Sequence, residues 1–198
     1  MQAAHDTASM ATLYAHIRIL MGMIVGLGLT HLLRHFANLI ENPRRKPIYW
    51  VHLGWALSMF LYLIHFWWWE FRLGHLVQWS FNLYLFVTLY ALLLYLLCAC
   101  VFSDSASEYP DYREYFYARR QWFFGLLALA YAVDMADTWI KGPAYFHGFG
   151  PEFVIRNLVY IVLCVVAALT RNPWFHGAFV SLGLAYQISW IARQFETL

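Results

Sequence analysis

Apolar positions in this chain do not alternate with polar ones; they gather in long runs, at about 13–33, 48–69, 76–102, 122–140, 153–169 and 174–192. Runs of about 20 apolar residues cross a hydrocarbon core of roughly 30 Å. Backbone polar groups in lipid need partners inside the chain, and these runs are too long and continuous for barrel strands, so each predicts a helix. The expected fold class is all-α: a polytopic integral membrane protein, a bundle of six transmembrane helices forming one domain over residues 1–198. Short polar links separate the runs, namely ENPRRKP, EFRLGH, KGPAYFHGFGPE and TRNP. One longer link, SDSASEYPDYREYFYARR, is charged and rich in tyrosine. The first run lacks a basic region before it and a small-residue cleavage site after it, which predicts that it is retained.

Composition sharpens this picture. Of 198 residues 62% are hydrophobic and 12% charged, against roughly 45–50% apolar in soluble domains, which leaves no room for a separate soluble unit. A net charge of +2, scattered along the chain, excludes a nucleic-acid partner. Where the charges fall says more than their sum. Arg34, Arg44, Arg45, Lys46, Arg113, Arg119, Arg120 and Arg171 share one side of a six-helix topology, and Arg18, Arg72, Lys141, Arg156 and Arg193 share the other. This eight-to-five excess predicts the first side as cytoplasmic and both termini outside, in a membrane of the bacterial inner type. Trp67, Trp68, Trp69, Trp79, Trp139 and Trp190 then form an outer aromatic belt. Cys98, Cys100 and Cys164 lie inside apolar runs and read as packing residues. The GMIVG of residues 22–26 matches the GxxxG pattern that lets helices approach closely.

Against this background the stretch LLALAYAVDMADTWIKG, residues 126–142, is anomalous, because an apolar run carries Asp134 and Asp137 three residues apart. Ionisable groups at the middle of a span cost about 2.5–3.5 kcal/mol each on insertion scales, so they face partners or cavities. By depth, Arg18, Glu70, Arg72, Gln78, Asn82, Asp134, Asp137, Arg156, Gln187 and Arg193 fall in the outer half. Two readings compete for this ring. In one, carboxylates and arginines fix helix register and the rest snorkel to the interface. In the other they surround a polar vestibule, with Arg156 and Arg18 as counter-charges to the two acids. Acids on the fourth helix facing arginines on others favour the vestibule.

A second constellation is THLLRHFAN on the first helix. His31, Arg34, His35 and Asn38 follow helical i, i+3, i+4, i+7 spacing and line one stripe, either the wet side of an amphipathic extension or the inner mouth of a path. Histidines invite a further reading. His16 and His31 are about 22 Å apart on one helix, and His52 and His65 about 20 Å apart on the next. Antiparallel packing would bring His31 toward His52 and His16 toward His65, the arrangement of two stacked bis-histidine haem b sites. Bulky residues after His65 oppose it.

The leading expectation is a small channel or transporter that conducts protons or small ions. Its path would be lined by Asp134, Asp137, Arg156, Arg18, Glu70, Asn82, Gln187 and Arg193, with His31, Arg34, His35 and Asn38 at the inner mouth. Its partners would be the bilayer, the ion and further copies of itself in a homo-oligomer, with neither cofactor nor bound metal. The alternatives are a haem b electron carrier and a non-catalytic subunit of a larger membrane complex. An enzyme acting on lipid or isoprenoid, with the acid pair holding a metal and a diphosphate, has little support, since DMAD has no further acids nearby. Nothing groups a nucleophile, base and orienting acid as acyl transfer requires.

Overall fold

The computed structural model describes residues 2–42, 46–75, 79–103, 106 and 108–195, with side chains from Tyr14 onward except those of Arg72, His75, Gln194 and Phe195. Arg44, Arg45 and Gln78, and the side chain of Arg72, therefore lie outside the described residues. The architecture is all-helical: α1 (Gln2–Glu41), α2 (Trp50–Trp69), a 3-10 segment (Glu70–His75), α3 (Phe81–Val101), α4 (Tyr112–Ile140), α5 (Pro143–Gly148), α6 (Gly150–Leu169) and α7 (Pro173–Phe195). Among the described residues five helical stretches are long and apolar enough to cross a membrane: Tyr14–Glu41 of α1, then α2, α3, α4 and α6, as in an integral membrane protein. The sixth expected span is helical too, but α7 is broken up by His176, Ser181, Gln187, Ser189 and Arg193 and is not one of the five.

Helix ends are set by local chemistry. Ser80 caps α3 by accepting from Leu83 N at 3.2 Å, and Pro143 and Pro151 occupy first-turn positions of α5 and α6, where the missing N–H costs nothing. Gly142 takes φ 128° in the turn before α5, a region closed to most side chains. Several boundaries differ from the apolar runs: α1 reaches from Gln2 to Glu41 around the run at 13–33, and α3 starts at Phe81 instead of 76. α4 begins at Tyr112, ten residues before the run at 122. Asp111 explains this, because its Oδ1 accepts from Glu114 N at 2.7 Å, an N-cap that starts the helix in polar sequence. A short helix, α5, also forms within the KGPAYFHGFGPE link.

Lipid tails are as apolar as leucine, so helices associate through close packing rather than expulsion from water. α4 packs most extensively on α6, α1 on α3, and α2 on α7, while α6 and α7 touch little. Trp55, Phe66, Tyr90, Leu94, Phe124 and Leu127 lie in the main core, joining α2, α3 and α4. Gly54 seats α7 on α2: a Cβ there would sit 2.7 Å from Val180 Cγ2. Of the GMIVG pair, Gly22 is covered by Trp67, whereas a Cβ at Gly26 would meet open space, so one of the two glycines serves close approach.

Candidate functional site

At the end of the bundle where α2 and α4 finish, Lys141 caps α4 and points back at its own last turn. Its Nζ lies 2.5 Å from Asp137 Oδ2 and 3.0 Å from Glu70 Oε1. The triad is dry, with the side chains of Lys141, Glu70 and Asp137 exposed by 1%, 1% and 0%. Trp69 supplies a ring 5.6 Å from the ammonium. One cation between two buried carboxylates leaves an excess negative charge, which burial disfavours. Burial first, and the Asp137 charge second, push Glu70 up to about 8 against the pull of Lys141, so it keeps a proton at neutral pH. For Lys141 burial opposes the charge, but the two acids outweigh it and its pKa is raised. Glu70 Oε2 and Asp137 Oδ1 make no hydrogen bond to other groups described.

Asp134, less than a turn away, belongs to a different system. Its Oδ2 accepts from Arg156 Nη2 and from Asn157 Nδ2, each at 3.2 Å, and its Oδ1 accepts from Tyr90 OH at 3.4 Å. Tyr90 OH in turn lies 3.1 Å from Tyr62 OH. Arg156 also donates to Asn157 Oδ1 at 3.1 Å, and its guanidinium lies 4.4 Å from the centre of the Trp190 ring. This pair is not dry. Arg156 and Asp134 are 11% and 13% exposed, and they border a cavity of about 40 Å³ lined also by Tyr62, His65, Gln187 and Trp190. That volume holds about two or three water-sized groups. Gln187 is oriented by Ser58, whose Oγ donates to Gln187 Oε1 at 2.8 Å while Gln187 Nε2 donates to Ser58 O at 3.2 Å.

Outside this cavity, α6 and α7 diverge around a groove of about 930 Å³ with apolar walls, including Ile155, Val159, Leu163, Phe179 and Leu182. Arg156, Tyr160 and Tyr186 line both groove and cavity, so the two adjoin. At the mouth Glu152 accepts from Arg193 at 2.7 and 3.1 Å and from Tyr186 OH at 2.7 Å.

The opposite end carries the histidine stripe. His31 Nε2 lies 2.6 Å from Phe102 O and His52 Nε2 2.6 Å from Val101 O, so both imidazoles satisfy carbonyls at the end of α3. Phe102 packs its ring between His35 and His52, stacked on the first at 4.8 Å and meeting the second edge-on at 4.9 Å. Arg34 and Asn38 turn outward and are exposed. Between the two ends stands an aromatic block, in which Trp55 meets Phe123, Phe124 and Phe179 at 5.5, 5.2 and 4.9 Å.

The structure thus divides the expected ring. Asp134, Arg156 and Gln187 share the cavity, and Glu70 and Asp137 share the triad. Arg193 serves Glu152, Asn82 is exposed, and Arg18 lies over the rings of Tyr14, Trp67 and Phe71 at 5.7, 5.8 and 5.1 Å instead of beside an acid. Four participants were missed from sequence: Lys141, Asn157, Tyr62 and Tyr90. Lys141 carried a usable signal, since it follows Asp137 at i,i+4, the spacing of a helical ion pair; the tyrosines and Asn157 carried none that set them apart. Among the haem-reading histidines, His31 and His52 turn Nε2 to carbonyls, His16 is exposed and His65 faces Trp69 and the cavity. This arrangement presents no two of these imidazoles to one iron. Comparison of the chain with family models, with curated proteins and with solved structures finds no match.

Proposed function

We propose that this protein is a small membrane transporter for protons or small ions, taking its cargo at Asp134 from the end of the bundle that carries Glu70 and Lys141. One observation carries the reading: Asp134, inside a membrane-spanning helix, borders a cavity of about 40 Å³ instead of being sealed like its neighbour Asp137. An intramembrane carboxylate with access to a cavity, beside an arginine and two linked tyrosines, is suited to accept and release a proton or hold a small cation. Arg156, paired with Asp134 at 3.2 Å, competes with incoming positive charge, so cargo is bound weakly enough to leave.

The block around Trp55 separates Asp134 from the His31 end, which favours a gated carrier over an open channel. Its most economical motion is rocking of the α2–α7 pair against the α4–α6 pair, because α6 and α7, like α2 and α4, touch little. In this reading α7 is the sixth crossing, both termini lie outside, and His31, Arg34, His35 and Asn38 form the inner exit. Purified protein in proteoliposomes should dissipate an imposed proton or cation gradient, and Asp134→Asn should abolish that flux while leaving expression intact. Undiminished flux in that variant would overturn the assignment.

A further inference from the structure

The groove between α6 and α7 is more than a lipid-facing crease, because it ends in polar chemistry. A volume of about 930 Å³ falls within the roughly 300–1,000 Å³ of small-molecule sites. Its apolar walls run to Arg156, Tyr160 and Tyr186, which also border the cavity at Asp134. An occupant that fills both needs a long apolar part and a small polar tip. A helix from a second copy meets the first requirement and not the second, since it cannot enter 40 Å³.

The charges select the tip. Arg156 is matched by Asp134 at 3.2 Å and Arg193 by Glu152 at 2.7 Å, so the head region is electrically balanced and an anionic head would meet two carboxylates as well as two arginines. A phosphate-bearing head is also too large for a space of two or three water-sized groups. What remains available is hydrogen bonding: Asp134 as acceptor, Gln187 and Arg156 as donors, the last with a buried Nε that makes no hydrogen bond to any described group. We propose that this groove binds a neutral single-chain amphiphile, its chain between α6 and α7 and its hydroxyl or carbonyl head in the cavity beside Asp134 and Arg156. The inference rests on reading that cavity as a ligand site, and it makes such an amphiphile a competitor for the carboxylate that the transport reading uses.

The test is equilibrium binding of radiolabelled hexadecanol, palmitate and phosphatidylglycerol to the purified, delipidated full chain in detergent. Hexadecanol should bind saturably, near one per chain, and more tightly than either anionic probe. Ala178→Trp from α7, or Val159→Trp from α6, should weaken it roughly tenfold or more; using both walls guards against one variant failing to fold. Absence of saturable hexadecanol binding, binding unchanged by both folded variants, or preference for palmitate or phosphatidylglycerol overturns the proposal. So does a dimer that the tryptophan variants dissociate in the absence of hexadecanol binding, which would assign the groove to a second copy. Flux lost in Asp134→Asn without hexadecanol binding removes the amphiphile alone, and binding with undiminished flux removes the transport reading alone.

Discussion

Asp134 and Asp137 stand less than one turn apart on α4 and belong to separate charge systems: Asp134 meets Arg156 at 3.2 Å beside a cavity, and Asp137 meets Lys141 at 2.5 Å in a dry triad. Three residues advance a helix by about 300°, so side chains at this spacing diverge by about 60°. Here that divergence sends one carboxylate toward α6 and the other toward the 3-10 segment after α2.

Removing the cation of the triad should be far more damaging than removing its proton. Lys141→Met strands the Asp137 charge, on a side chain 0% exposed, beside the buried Glu70 carboxyl, and loss of one partner of a buried ion pair costs about 3–5 kcal/mol. Glu70→Gln replaces a carboxyl that already holds a proton by an amide of similar shape and should change stability by less than about 1 kcal/mol. Thermal unfolding of both variants in detergent checks the order.

Stability should fall as pH rises across the neutral range. The folded state keeps the Glu70 proton up to about 8, against an ordinary value of 4.5, so between those values the unfolded chain binds fewer protons than the folded one. Raising pH through this window therefore favours unfolding, by at most about 1.4 kcal/mol per unit, and the decline should flatten above the folded value. Melting temperatures from acid to alkaline pH should show this slope in the native protein, and Glu70→Gln should lose it.

The seat of α7 on α2 is steric. Gly54→Leu drives a side chain into Val180, since even a Cβ would lie 2.7 Å from Cγ2, and should destabilise by about 1–3 kcal/mol. Adding Val180→Ala should recover part of that loss. Gly125→Ala, where a Cβ meets nothing within 4 Å, serves as the control and should be neutral or slightly stabilising. Unfolding midpoints of these variants decide the matter.

How far the molecule could be read from sequence follows from the range of the interactions involved. Apolar runs report on lipid contact, which is local, so the helices were legible; α4 still began earlier than its run, because Asp111 caps polar sequence. The importance of Asp134 and Asp137 was legible from the cost of placing acids in an apolar run. Their partners were only half so. Arg156 was found through similar depth, yet Arg18 lies among the aromatic rings of Tyr14, Trp67 and Phe71, and depth does not report which way a helix faces. Lys141 answers Asp137 from four residues away along the chain and not from another helix. The groove between α6 and α7 left no trace in the pattern, since a wall facing lipid and a wall facing a neighbour are equally apolar.

In the proposed division of labour Asp134 works and the Glu70–Asp137–Lys141 triad holds. Its most direct measurement is gradient-driven flux in proteoliposomes reconstituted in parallel with Asp134→Asn and Glu70→Gln protein. Flux should disappear with the first and persist with the second. Persistence in both, or loss only with Glu70→Gln, would contradict it.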